Sequence, residues 1–174
     1  IYNDDHLAQV NVTDSTITMS KDFGGTINIG YDKFRNGTMS LENSTLDANN
    51  IVLGGFPRAA ETNPDPDAKS YLSAVNSTVD VAGTFEIKDT GVMSIEGSTL
   101  TAAGAIDNGG AINVSGKSTV AAEIDGALDL LDGAEVTFAK GATADDLRVA
   151  SGAEVTLSGE LNGTEYIYEK DYKY

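Results

Sequence analysis

The sequence predicts an all-β protein, a right-handed parallel β-helix (β-solenoid) with coils of about 20 residues. Three observations predict it: a recurring Ser-Thr-aliphatic phrase, an alternation of apolar and polar residues, and a turn residue at the same place in successive repeats. A short unit of this kind cannot bury its apolar side alone, so it must stack on its neighbours. Connections that return to the same parallel sheet are almost always right-handed, which sets the expected hand.

The Ser-Thr-aliphatic phrase defines the period. Its five copies are Ser15-Thr16-Ile17, Ser44-Thr45-Leu46, Ser77-Thr78-Val79, Ser98-Thr99-Leu100 and Ser118-Thr119-Val120. Successive threonines are 29, 33, 21 and 20 residues apart, so the two longer intervals each contain an insertion. The sequence therefore predicts loop excursions near 31–37 and 57–69. The aliphatic residues that follow the threonines are expected to form one interior column.

Alternation of apolar and polar residues predicts the strands themselves. Examples are Val10-Asn11-Val12, Met39-Ser40-Leu41 and Phe85-Glu86-Ile87, and a period of two is typical of half-buried strands. Two later repeats share another phrase, Gly-Ala-Glu-Val-Thr, at 133–137 and 152–156. Leu128 and Leu130 stand in the same relation to Leu147 and Val149.

Turn residues recur two positions before each aligned threonine. These residues are Asp14, Asn43, Asn76, Gly97 and Lys117, mostly types that bond their own backbone or tolerate left-handed dihedral angles. A β-sandwich of short antiparallel strands is the structural alternative, because turn signals every 8–12 residues, roughly, also suit that fold. The constant phase of the turns favours the β-helix.

The domain organisation that follows is simple. Residues 1–164 are predicted to form a single domain, and residues 165–174 (EYIYEKDYKY) depart from the coil pattern. This segment places four tyrosines on a stripe with a period of two, namely Tyr166, Tyr168, Tyr172 and Tyr174. Solenoid ends expose unpaired backbone, so the stripe is expected either to cap the last coil or to be donated to a neighbouring subunit.

Composition excludes several functional classes. The 174-residue chain carries 27 acidic and 11 basic residues, a net charge of −16, and it has no cysteine and a single histidine. Such an acidic chain repels nucleic acid and anionic lipid, and its lack of cysteine excludes a disulfide framework. No apolar run approaches the ~18 residues of a membrane span. Because the sequence starts at Ile1, we expect a processed or excised piece.

Longer phrases carry a family resemblance. INVSGKSTVAAEI, MSIEGSTLTAAG and LRVASGAEVTLSGELNG resemble the repetitive passenger regions of bacterial autotransporters and related surface adhesins. The resemblance covers most of residues 8–163. It implies a secreted or bacterial cell-surface location and a role in adhesion, self-association or display, and it supplies no catalytic residue.

The residues themselves predict that the chain is not an enzyme. A nucleophilic triad needs a positioned base, and the single histidine, His6, lies near the N-terminus. A carbohydrate-active β-helix is the less favoured alternative, because it needs carboxylates that converge with basic groups on one face. The arginines around which such a cluster would form are Arg58 and Arg148.

Binding is expected to lie at the insertions, because recognition residues concentrate on loops held by a rigid scaffold. The candidate contact surface comprises Tyr31, Phe34, Phe56, Arg58, Asp65, Asp67 and Tyr71. No cofactor is expected. The spacing of Asn63, Asp65 and Asp67 makes calcium the one candidate, but the glycine and terminal glutamate of the EF-hand pattern are missing, so a solvated turn is favoured.

Together these inferences predict a non-enzymatic, extracellular bacterial surface protein used for adhesion or display. The alternative is a self-assembling filament or matrix subunit. The expected partners are another copy of the chain, bound head-to-tail or laterally, or a host or cell-surface protein or glycan. Nucleic acid is not an expected partner.

Overall fold

The computed structural model describes residues 8–19, 24–30, 36–55, 69–139, 142–157 and 168–169. Within these ranges the regular structure consists of strands alone. The strands are β1 (Ala8–Thr13), β2 (Thr16–Thr18), β3 (Thr26–Ile29), β4 (Gly37–Glu42), β5 (Thr45–Ala48), β6 (Asn50–Leu53), β7 (Ser70–Val75), β8 (Thr78–Val81), β9 (Phe85–Ile87), β10 (Gly91–Glu96), β11 (Thr99–Ala102), β12 (Ile106–Asn108), β13 (Ala111–Ser115), β14 (Lys117–Ala121), β15 (Glu123–Leu130), β16 (Glu135–Phe138), β17 (Thr143–Val149), β18 (Glu154–Leu157) and β19 (Tyr168–Glu169).

Through the first four repeats each strand pairs with the strand three places further along the chain. β1 pairs with β4, β2 with β5 and β3 with β6, and every strand pair in the described ranges is parallel. The expected all-β class is therefore confirmed, and the alternative of short antiparallel strands is wrong here. One sheet has 12 strands and curls around the core, and the other has seven.

Three faces result from this pairing. Face 1 contains β1, β4, β7, β10 and β13, face 2 is the seven-stranded sheet, and face 3 contains β3, β6, β9 and β12. The long strand β15 joins faces 1 and 3, because Ile124 pairs with β12 and Leu130 pairs with β13. A bulge between Ile124 and Ala127 marks the bend where β15 and β17 pass from one face to the other.

The register confirms the sequence alignment. The five aligned threonines lie on neighbouring strands of face 2 and stack in one column. The Gly-Ala-Glu-Val-Thr repeat extends the column, because Thr119 pairs with Thr137 and Thr137 pairs with Thr156. The predicted pairings of Leu128 with Leu147 and of Leu130 with Val149 are also present.

The turns between faces 1 and 2 hold left-handed residues, as expected. Asp14, Asn43 and Asn76 have φ of 49°, 49° and 48°, and Gly97 has φ of 56°. Asn and Asp tolerate this region better than other side chains because they bond locally. The prediction for Lys117 is wrong: it begins β14, and Gly116, with φ of 59°, takes the turn position.

The core is a set of columns that run through the stack. Alternate residues of regular strands such as β4 and β10 point inward, so interior side chains contact their equivalents in neighbouring repeats. The predicted aliphatic column of face 2 is confirmed from Leu46 onward, and Ile17 at its start is partly buried. Face 3 contributes the column Ile27, Ile51, Phe85, Ile106 and Ile124.

The serines that precede the threonines form a buried ladder that the sequence pattern does not explain. Ser44, Ser77, Ser98 and Ser118 are all buried. The backbone N–H of Ser77 donates to Ser98 Oγ at 2.8 Å, and Ser98 Oγ donates to the carbonyl of Glu96 at 2.7 Å. The same pattern recurs at the neighbouring serines. Each hydroxyl thus accepts from a backbone N–H of the corner and donates to a carbonyl that also accepts from a backbone N–H, as Glu96 does from Asn76.

Ser98→Ala is expected to lower the free energy of unfolding by about 1–2 kcal/mol, because it leaves the buried N–H of Ser77 without its acceptor. Chemical denaturation monitored by circular dichroism measures this loss. Ser94→Ala is the matched control, because Ser94 lies on the outer side of β10. This substitution should change the free energy of unfolding by about 0.5 kcal/mol at most. Equal losses from the two variants would contradict the role given to the ladder.

Candidate contact surface

Two insertions leave the same corner of the stack. The first joins Gly30, after β3, to Asn36, before β4, and the second joins Gly55, after β6, to Lys69, before β7. Because β3 pairs with β6 and β4 pairs with β7, the ends of the two insertions lie one above the other. The excursion predicted at 31–37 is one or two residues shorter, since Gly37 already belongs to β4.

Hydrogen bonds hold the base of this corner. The backbone N–H of Gly54 donates to the carbonyl of Ile29 at 2.8 Å, and that of Gly55 donates to Thr90 Oγ1 at 2.9 Å. On the other side, the N–H of Gly37 donates to Ser70 Oγ at 3.3 Å. Both insertions therefore start and end on paired backbone, which is the arrangement that supports a binding loop.

In the later repeats the same corner is closed tightly. β9 and β10 are joined by only three residues, 88–90, and β12 and β13 by two glycines, Gly109 and Gly110. The side chain of Lys88 is buried here and is paired with Glu86. The corner is thus a position where the fold accepts either a short turn or a long insertion.

Of the sequence-predicted contact residues, the structure describes only Tyr71. Tyr71 is 43% exposed, on the outer side of β7 and two residues after Lys69, where the second insertion ends. The other members of the predicted surface lie outside the described residues: Tyr31, Phe34, Phe56, Arg58, Asp65 and Asp67. Proximity among these seven residues therefore stays a prediction.

The outer surface of face 1 consists of three columns of side chains, two of which contain or adjoin Tyr71. The first contains Gln9, Thr38, Tyr71, Val92 and, on β13, Ala111. The second column contains Asn11, Ser40, Ser73, Ser94 and Asn113. None of these ten side chains is charged, but the third column, Thr13, Glu42, Val75, Glu96 and Ser115, contains two carboxylates. Sequence reasoning missed this surface because its members are separated by 19 to 33 residues along the chain.

Further charged residues lie where face 1 reaches β15 and β17. Arg148 contacts Asp146, with Nη2 to Oδ2 at 2.7 Å, and its Nη1 lies 3.6 Å from Asp129 Oδ1. Arg148 was one of the two arginines considered for a carbohydrate-active site. The two carboxylates that lie beside it, Asp146 and Asp129, are both ion-paired with it. Arg148 also pairs in register with Tyr168, through which β19 adds to β17. Tyr166, Tyr172 and Tyr174 lie outside the described residues.

Face 3 carries a column of carboxylates. Glu86, Asp107 and Asp125 are in register on β9, β12 and β15, and Asp145 follows on β17. A shared hydrogen bond with Asp145 raises the pKa of Asp125 above its ordinary value of 3.8, and the charges of Asp145, Asp107 and Glu123 raise it further. Like charges on adjacent strands oppose the folded state.

We expect the protein to become more stable as pH falls from neutral through the raised pKa of Asp125. The folded state holds this proton more tightly than the unfolded chain, so the gain is complete below the ordinary value of 3.8 and is lost as pH rises. Asp145→Asn should raise the melting temperature at pH 7 and reduce the gain at low pH. Glu96→Gln removes one charge from another face and should keep the pH dependence. An unchanged pH profile in Asp145→Asn would contradict the assignment.

Two further observations concern the described ranges only. Within them, no group of three or more histidine, cysteine, aspartate or glutamate side chains is arranged to hold a metal ion. The described ranges also contain no helix with the length and apolar character needed to cross a membrane. Asp65 and Asp67, the residues considered for calcium, are outside the described part.

Comparison with known proteins gives no relative for this chain. A scan against protein-family models found no match, and searches among curated proteins and solved structures found no significant similarity.

Proposed function

We propose that this chain is a right-handed parallel β-helix that serves as a non-enzymatic adhesion or display module on the outside of a bacterial cell. The observation that carries the proposal is the corner between faces 3 and 1, where two insertions leave adjacent repeats beside the outer surface of face 1. A stack of paired strands holds such a surface rigidly, and repeat proteins use extended surfaces of this kind for binding.

The regular scaffold supports this proposal further. Interior columns are continuous from repeat to repeat, and the serine ladder hydrogen-bonds the backbone of the corner between faces 1 and 2. Such a scaffold tolerates long insertions at a surface corner at low cost, since the entropy of closing a loop grows slowly with its length. The bacterial surface location rests on the resemblance of the repeats to autotransporter passengers.

An adhesion assay tests the proposed function. Beads coated with the 174-residue chain are incubated with cultured epithelial cells and with immobilised matrix proteins and glycans, and retained beads are counted. Replacing residues 56–68 by the Lys-Asp-Thr turn that joins β9 to β10 should lower retention several-fold. The double variant Thr78→Ala and Thr99→Ala, on face 2, should retain beads as the parent does. Retention no greater than that of uncoated beads would refute the proposal.

Self-assembly is the second candidate function, because the apolar columns are less buried at the first described repeat than in the repeats that follow. Val12, Ile17 and Ile27 are only partly buried among the described residues, whereas the equivalent residues of the next repeat are fully buried. At the other end, Val155 is 38% exposed. Open ends of parallel sheets pair head-to-tail and give fibres.

Light scattering and electron microscopy of the purified chain distinguish these two functions. A filament subunit grows into fibres whose length increases with protein concentration. A monodisperse monomer over the whole concentration range would eliminate the assembly function and leave adhesion or display.

A further inference from the structure

The last described strand, β19, takes a defined place in the stack. One column of face 1 has a member on each successive strand: Asn11, Ser40, Ser73, Ser94, Asn113, Asp129, Arg148 and, on β19, Tyr168. The neighbouring column starts at Val12, reaches Val149 on β17 and ends at Glu169 on β19. β19 is therefore the beginning of one more rung of face 1, with two residues in register on β17.

Glu169 puts an acidic residue into a column that is otherwise apolar. The seven earlier members are Val12, Leu41, Ala74, Ile95, Val114, Leu130 and Val149. Five of them are at most 1% exposed, and the first and last are partly buried. A charged residue at the register position of an inward column is one way in which sheets avoid pairing with another chain. The sequence of β19 thus ends this column.

β19 lies where β1 of a second copy would lie if that copy continued the stack. In such a stack the second copy's Asn11 and Val12 would stand in register with Arg148 and Val149, because these residues belong to the same two columns. In the intact chain those two positions are taken by β19. A second copy can therefore add its β1 to β17 only after β19 has left.

The two edges of the seven-stranded sheet have complementary backbone groups. Among the described residues, β18 and β2 are its first and last strands. In the serine ladder each N–H donates to the hydroxyl of the next strand, as Ser77 does to Ser98 Oγ at 2.8 Å. Ser15 Oγ, at the β2 edge, donates to the carbonyl of Thr13 but accepts no N–H within the described ranges.

Val155 has the N–H that Ser15 would accept from a second copy. It holds the serine position on β18, because Ser118 pairs with Val136 and Val136 pairs with Val155. The N–H of Glu154 donates back to Ala134 at 2.7 Å, so the next N–H, that of Val155, points to the other edge of β18. Pairing β18 with β2 of a second copy would therefore continue the hydrogen-bond pattern of the sheet.

Apolar residues at the two edges match as well. Val155 is 38% exposed, whereas Val136 on the preceding strand is 1% exposed. At the other edge Ile17 is only partly buried. Valine beside serine is already accepted in this column, since Val136 and Ser118 are in register and both are buried. A second copy would bury Val155 against Ser15 in the same way.

We propose that β19 is a displaceable cap that keeps the chain monomeric by occupying the edge of β17. Once β19 is displaced, a second copy adds its β1 to β17 and its β2 to β18, and the copies stack head-to-tail. Two residues of β19 are in register with β17, against six residue pairs between β17 and β15, so displacement breaks far fewer backbone bonds than loss of a repeat. The inference does not depend on the adhesion function, which a capped monomer can perform.

Light scattering of the intact chain and of the double variant Tyr168→Pro and Glu169→Pro tests this inference. Proline has no N–H and cannot pair within a parallel sheet, so the variant loses the cap. We expect the intact chain to stay monomeric, whereas the variant should exceed about twice the monomer mass as concentration rises. The matched control is Tyr168→Thr and Glu169→Gln, which keeps both N–H groups and should stay monomeric.

Cross-linking identifies the junction. Thr16→Cys and Thr156→Cys are made separately in the proline variant, which has no other cysteine, and the two samples are mixed with a short bismaleimide. Both threonines are exposed, and in the proposed junction they lie one strand spacing apart, about 4.8 Å. We expect cross-linked dimers from this pair. Thr16→Cys mixed with Thr99→Cys is the control and should give none, because Thr99 lies in the middle of the sheet.

A charge reversal tests the register. Glu154 and Asp14 each lie two positions before an aligned threonine, so the junction places these two acidic residues side by side, where they repel. Salt should therefore promote assembly of the proline variant. Adding Glu154→Lys should raise its mass at low salt, and a lower mass would contradict the register.

Other results would overturn the inference. Assembly of the intact chain, or a proline variant that stays monomeric, would show that β19 does not control assembly. Loss of the circular dichroism spectrum in the proline variant would show that β19 is required for the fold and is not displaceable. A rise in mass without the cross-link between positions 16 and 156 would mean that another surface pairs the copies. Bead retention by the intact chain tests the adhesion function separately.

Discussion

Phe85→Ala is expected to lower the free energy of unfolding by about 3–5 kcal/mol. Phe85 is 1% exposed and stands in the face 3 column between Ile51 and Ile106, which pair with it in register. Removing the ring leaves a cavity between two repeats that paired backbones prevent from collapsing. Because every repeat is stabilised by its neighbours, the loss should appear as a lower midpoint of the denaturation curve.

Phe85→Leu is the graded comparison for this prediction. It keeps an apolar side chain of intermediate volume, so it should cost roughly a third to a half as much as alanine. Urea denaturation followed by circular dichroism provides both values. If alanine and leucine cost the same, or if alanine costs less than about 1 kcal/mol, the packing described for face 3 is wrong.

Gly110→Ala is expected to destabilise the protein by about 3 kcal/mol, at the upper end of the usual cost of overpacking. A Cβ atom at Gly110 would lie 2.3 Å from the carbonyl oxygen of Gly91 and 2.5 Å from that of Lys88. Both contacts are with backbone, which cannot move away without breaking strand pairing. The tight turn at the corner between faces 3 and 1 therefore requires glycine at position 110.

Gly104→Ala is the control for steric specificity. At Gly104 the nearest atom to an added Cβ is the carbonyl oxygen of Gly83, at the ordinary contact distance of 3.7 Å. This substitution should be neutral or stabilise slightly, since alanine reduces the freedom of the unfolded chain. The melting temperatures of the two variants, measured side by side, check the pair of predictions. Similar melting temperatures would mean that the close approach at Gly110 does not exist in solution.

These substitutions also bear on function, because the tight corner at Gly110 lies at the position from which the two insertions leave in earlier repeats. Later repeats have a short turn at this corner, whereas earlier repeats carry the insertions there, beside face 1. A substitution that disturbs the turn at Gly110 should therefore reduce stability.

The sequence by itself was sufficient for the repeat, the strands and much of the core. A period of two and a phrase that recurs at fixed spacing are local properties, and parallel stacking places equivalent residues in register. For this reason Thr16 and Thr45 could be aligned from the sequence, and the aliphatic column that begins with Leu46 followed from them. The left-handed turns at Asn43 and Asn76 were predictable because few other residue types adopt that conformation.

The tertiary structure alone decided how the faces differ. The threonine column continues through Thr137 to Thr156, although valine precedes these two threonines and serine precedes the earlier ones. Only the register reveals that the two repeated phrases share one column. The inward role of Ser98 and the outward position of Ser94 depend on which side of each strand faces the core. The outer surface of face 1 around Tyr71 unites residues that are 19 to 33 positions apart, so it exists only once neighbouring strands have paired.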